Sequence, residues 1–122
     1  MTQNNLFIQT LVYPEKITCL DDLKKAIEIA TIEATSQASK GVERKGIEKK
    51  IRGYIAHIIF KRYFPEIHSF NYWHHRYQGL DNTIDYHSTT CSWKRKSYRS
   101  IDGHASLEQF LTEIIKLVPC DQ

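Results

Sequence analysis

The feature that most limits the fold is a change of period at Phe64-Pro65. Before it, Ile47, Ile51, Ile55, Ile58 and Ile59 recur at the spacing of one helix face while Lys45, Lys49 and Arg52 fall elsewhere, which predicts a helix over about 43–63. Proline lacks the amide a helix needs and biases the preceding residue away from helical dihedrals, so the helix must stop there. Beyond Pro65 the chain becomes dense in His, Tyr, Trp, Ser and Thr. Its short alternating runs predict strands near 67–74, 83–88 and 90–98, with Gly79-Leu80-Asp81-Asn82 as the turn between the first two.

The flanks add three elements. Leu6 to Tyr13 is rich in β-branched and aromatic types and reads as a strand stopped by Pro14. From Asp21 to about Ser39, Leu23, Ile27 and Ala30 make a helical stripe, with acids in the first turn that suit the positive end of the dipole and Gly41 as terminator. Ser106 and Gln109 form a capping box, followed by an apolar stripe of Leu107, Phe110, Leu111, Ile114 and Val118 and closed by Pro119. The predicted order is β-α-α-β-β-β-α, an α+β domain with a small mixed sheet packed against helices. With 122 residues and no repeat or linker, 1–122 reads as a single domain, long enough to bury roughly two-thirds of its unfolded surface. At 41% apolar and 25% charged residues the composition excludes a disordered chain.

Cys19, Cys91 and Cys120 are odd in number and scattered, a poor disulfide framework, so a reducing compartment is expected. Met1 to Leu11 lacks the basic and apolar regions of a signal peptide, and no run approaches the ~20 apolar residues of a membrane span. The expectation is a cytoplasmic protein without a membrane partner. The net charge of +3 is mild, but Lys and Arg concentrate between Lys40 and Arg99.

The run Cys91-Ser-Trp-Lys-Arg-Lys-Ser-Tyr-Arg99 alternates cations with aromatic rings. A surface carrying Trp93, Lys94, Arg95, Lys96, Tyr98 and Arg99, with Arg76 from the preceding strand region, attracts phosphate and offers stacking faces. A solvated edge strand protected by lysine is the plainer alternative, although two large aromatics are unnecessary for that purpose.

The succession helix, three strands, helix, with Asp81 or Asp85 on an early strand and Ser92-x-Lys94 on a later one, resembles the PD-(D/E)XK nuclease superfamily over about residues 43–118. Ser92 stands where that family's acid is usual. Some members with SxK recover the carboxylate fourteen positions beyond the lysine, and Glu108 stands there, with Glu48 on the preceding helix as a further candidate. The resemblance implies a small endonuclease in which Asp85 and Glu108 hold Mg²⁺ against the scissile phosphate and Lys94 orients the attacking water. A surface turn and an ordinary acid near a helix N-terminus explain the same residues without chemistry.

A rival resemblance, to HNH nucleases, runs through His74, His75, Asn82 and His87, with Tyr86 or His87 at the family's last position. It implies His74 or His75 as general base and the others as metal ligands. His87 and Cys91, four apart, with His74, His75 and His104, are also a candidate zinc set, but one loose pair falls short of the two paired sets of a structural site. Satisfied strand histidines are the simpler reading. Two function classes therefore stand: a metal-dependent nuclease or its nucleic-acid-binding relative, and a non-catalytic module of defence, anti-defence or immunity type that binds a protein partner through its aromatic, histidine-rich face. A homodimer is expected on general grounds, since two copies help a small domain span a duplex.

Overall fold

The computed structural model describes residues 12–40, 46–96 and 100–119. Two helices come first, α1 (Leu20–Ala38) and α2 (Ile47–Tyr63). Five strands follow, β1 (Ile67–Ser69), β2 (His74–Gln78), β3 (Thr83–His87), β4 (Ser92–Lys96) and β5 (Ile101–His104), and a short helix α3 (Leu107–Gln109) runs on into a π-helical turn, Phe110–Ile114. The class is α+β. The sheet is antiparallel throughout rather than mixed, with strands in sequence order from edge to edge. Two strands, β2 and β5, lie where no separate strand was predicted. The strand expected over 6–13 and the stop at Gly41 lie outside the described residues, apart from 12 and 13, which are not in a strand.

Local chemistry sets the boundaries. Thr18 donates from both its amide and its hydroxyl to Asp22 Oδ2, at 3.1 and 2.8 Å, which fixes the entry to α1. Gly46 precedes α2 at φ 79°, a left-handed conformation in which a side chain would be strained. The expected turn closes between β2 and β3, with the Gly79 amide donating to the Asn82 carbonyl at 2.9 Å. The capping box forms as expected: the Gln109 amide donates to Ser106 Oγ at 3.2 Å, and the Ser106 amide donates to Gln109 Oε1 at 3.1 Å. At the other end Lys116 takes φ 54°, and the Leu117 amide reaches back six residues to the Leu111 carbonyl at 2.8 Å, a left-handed stop one residue wider than the usual helix C-cap because it closes a π-helical turn.

Among the described residues, the core lies on the side of the sheet that faces the helices. Leu23, Ala26 and Ala30 of α1, Ala56, Ile59 and Phe60 of α2, Ile84 and Tyr86 of β3, and Phe110 and Leu111 of the last helix form it. Tyr86 stacks on Phe110 with centroids 4.2 Å apart, and its hydroxyl donates to the Ala105 carbonyl at 2.8 Å. The buried face of α2 is Gly53, Ala56, Ile59 and Phe60, so the isoleucine stripe is rotated from expectation: Ile59 is central, whereas Ile47 and Ile51 are only half-buried. Small residues win that face because α1 and α2 lie against each other, and Ala26, Ala30, Ala34 and Ala56 permit the close approach.

Candidate nucleic-acid interface

Strand alternation divides β2 to β5 into two sets of side chains. His75, Tyr77, Ile84, Tyr86, Trp93 and Arg95 take the helix side. Cross-strand register then aligns the other set into rows. One row reads His68, Arg76, Asp85, Lys94, Asp102 from β1 to β5. The next reads His74, His87, Ser92, His104, and a third carries Gln78, Thr83 and Lys96. Of these, all but His68, Gln78 and Thr83 line an open groove of about 600 Å³ on the side of the sheet away from the helices, with Trp93 and Gly103 at its border.

Asp85 is the hub of the groove. It sits on the central strand with a side chain only 7% exposed, and Arg76 Nε donates to Oδ1 at 2.8 Å with its Nη2 near Oδ2 at 3.4 Å. His74 Nε2 lies 3.3 Å from Oδ1 and Lys96 Nζ 3.6 Å from Oδ2. Burial pushes the Asp85 carboxyl upward, but the hydrogen bonds and charges of Arg76 and His74 outweigh it and hold the group below its ordinary value. The same pairing raises Arg76. Burial, with the charges of His74 and Lys94, pushes His87 down.

An aromatic cluster adjoins one end of the groove. Trp73, His74 and His87 lie nearly parallel, with centroids 4.8 to 5.8 Å apart. Phe70 packs against His74 at 4.8 Å and edge-on to His68 at 4.7 Å, and the Arg76 guanidinium sits 5.1 Å from its ring centre. Phe70 and Trp73 are nevertheless 50% and 39% exposed. Their loop is held from behind. Asn71 Oδ1 accepts from the amides of Trp73 and His74 at 3.0 and 2.9 Å, and Tyr72 stacks on Tyr54 of α2 at 4.5 Å. Gly53 is required at that contact, because a Cβ there would come within 2.7 Å of Tyr72 Cδ2. Ser88 locks the far side by donating to the Tyr72 carbonyl at 3.1 Å.

The predicted site residues are therefore only partly gathered. Asp85 and Lys94 are direct cross-strand partners, as the first resemblance requires. Glu108 instead borders a separate, mainly apolar pocket on the helix side, with Ile27, Ile55 and Tyr86. Asp81 lies in the β2–β3 turn beside Tyr77 and Ile84, and Glu48 is on the exposed first turn of α2. Among the described residues, no three His, Cys, Asp or Glu side chains are grouped to hold a metal ion, and the one central carboxylate is already paired with cations. The donor set does not fit the two-carboxylate Mg²⁺ site, nor does His87 with Cys91 assemble a zinc site.

The HNH set is divided as well. His75 is fully buried on the helix side, its ring bridging the hydroxyls of Ser69 and Ser88 at 2.7 and 2.8 Å. Burial, with the charges of His57 and His74, drives it down to about 3, so it is a neutral structural group and not a solvent-facing base. His74 and His87 are neighbours, but Asn82 stands beyond the opposite end of β3, about 13 Å or more along the strand. The basic run is split by the same alternation: Lys94 and Lys96 face the groove, while Trp93 lies over Gly103 and Arg95 packs toward Ile84 and Ile114 on the helix side. Tyr98 and Arg99 lie outside the described residues. The sequence pointed to neither Phe70 nor Asp102 and gave Trp73 no role of its own; register places Asp102 opposite Lys94, and Phe70 and Trp73 join the site by packing on His74.

No described helix is long and apolar enough to cross a membrane, and Cys19 and Cys91 are free thiols. No protein-family model matches the chain, and neither a curated protein nor a solved structure matches it.

Proposed function

We propose that the open face of the sheet binds nucleic acid. The observation that carries this reading is the groove itself, in which Arg76, Lys94 and Lys96 stand over a sheet face that no other described element covers, bordered by imidazoles and exposed rings. Lys94 and Lys96 are exposed where phosphate can reach them, Lys96 beside the rim of Asp85, while Arg76 is held by Asp85 and defines the floor. Asp85 and Asp102 leave the face only modestly positive, so the electrostatic contribution is limited and salt-sensitive. The reading is one of binding, in a cytoplasmic protein, and no metal-assisted step follows from the donor set. A protein partner of the same face is the alternative outcome.

The test is fluorescence anisotropy with labelled DNA and RNA oligonucleotides over a range of salt. Lys94→Ala with Lys96→Ala should weaken binding and lower the slope of log K against log salt by about 1.4 to 1.8, the loss of two phosphate contacts. Absence of binding to every oligonucleotide, or an unchanged slope, would overturn the reading.

A further inference from the structure

Resting on that reading, we infer that the ligand is single-stranded, and that its unpaired bases stack on Phe70 and Trp73 at the end of the groove. Three observations point the same way. The two rings are among the most exposed large apolar side chains described, while most other described Phe, Tyr and Trp residues belong to the core or pack against it. They are not loosely placed: Asn71 fixes the backbone of their loop, and Tyr72 anchors it against Gly53 and Tyr54 on the opposite side of the chain. A pre-set ring loses little entropy when a base settles on it.

The third observation is the pairing of rings with charge. The Arg76 guanidinium lies over Phe70, and Lys94 stands across Asp85 from Arg76, so a backbone running along the groove has cations beside it while its bases reach the platform. A duplex keeps its bases stacked inside and offers these rings only its edges, and a small net charge is a weak hold on a rigid polyanion. Every unpaired base, by contrast, has a π-face, which makes such a platform tolerant of sequence. A self-associating apolar patch would not need the flanking imidazoles and guanidinium.

The experiment compares a single-stranded 12-mer of uridine or thymidine with a duplex of equal length, using the full chain and anisotropy. Expected is at least tenfold tighter binding of the single strand, with Trp fluorescence quenched on binding. Phe70→Leu and Trp73→Leu keep an apolar side chain but remove the π-face. Each should weaken single-strand binding about 5- to 150-fold, the range for losing a stacked base, with the salt slope unchanged. Trp73→Phe should retain most of the affinity. Thermal melting and light scattering on each variant report folding and oligomeric state. If the duplex binds as well as the single strand and the leucine variants match the parent while Lys94→Ala still weakens binding, the groove reading stands and the platform inference falls. If neither form binds, the groove reading itself falls. If the leucine variants alter only self-association, the rings are an interface between copies, and the inference is overturned.

Discussion

His74 and His75 are adjacent in the chain and have opposite fates. His75 faces the helices, buried and neutral between two hydroxyls, whereas His74 faces the groove and contacts Asp85, Phe70 and Trp73. The two faces of one sheet thus use similar residue types for different ends. On the covered face, polar atoms are permitted only with partners, and Trp93 Nε1 and Arg95 Nε, buried without a partner among the described residues, mark where that rule is strained. On the open face, polar groups set charge and stacking surface, and only Asp85 is buried, by the cations around it.

The comparison breaks most visibly at Phe60. It is fully buried among His75, Tyr86 and Phe110, so Phe60→Ala should cost about 3–5 kcal/mol in urea unfolding. A loss under about 1 kcal/mol would mean that the helix side is not the core. Asp85→Asn tests the open face. It leaves Arg76 and Lys96 without their carboxylate, and a stability loss of about 1–3 kcal/mol is expected. Because the face gains one positive charge, oligonucleotide binding should tighten at the same time; weaker binding would indicate that Asp85 contacts the ligand.

Acid should distinguish the faces next. His75 has a folded pKa near 3 against an ordinary value of 6.5, so below about pH 6.5 the unfolded chain takes up a proton that the folded chain refuses. Stability should therefore be whole above that pH and fall by up to ~1.4 kcal/mol per pH unit as pH drops toward 3, with His57, also lowered by burial, adding a smaller share. His75→Gln should flatten the unfolding curve in that window. The smallest effect belongs to Lys94→Ala, which should stay within about 0.5 kcal/mol in stability because its side chain is exposed.

What could be read without coordinates was local. The stop at Phe64-Pro65, the turn at Gly79–Asn82, the capping box of Ser106 with Gln109 and the α+β class each depend on residues a few positions apart, whose backbone demands no partner can change. The orientation of α2 was less legible, because isoleucines advertise burial more loudly than Gly53 and Ala56, although close helix contact favours the small residues. The site was legible only in part. Asp85, Lys94, His74 and Arg76 were all candidates, but they were joined with Glu108 and Asn82, which lie elsewhere. The run Trp93 to Lys96 looked like one surface and is two, because successive side chains of a strand point to opposite faces and a shift of one residue would exchange them. That choice rests on register, and register is set by which residues the helices can bury. The order of residue types beyond Pro65 therefore determined that this chain would carry a histidine-rich, aromatic and basic sheet; tertiary packing decided which half of those side chains became core and which became the groove.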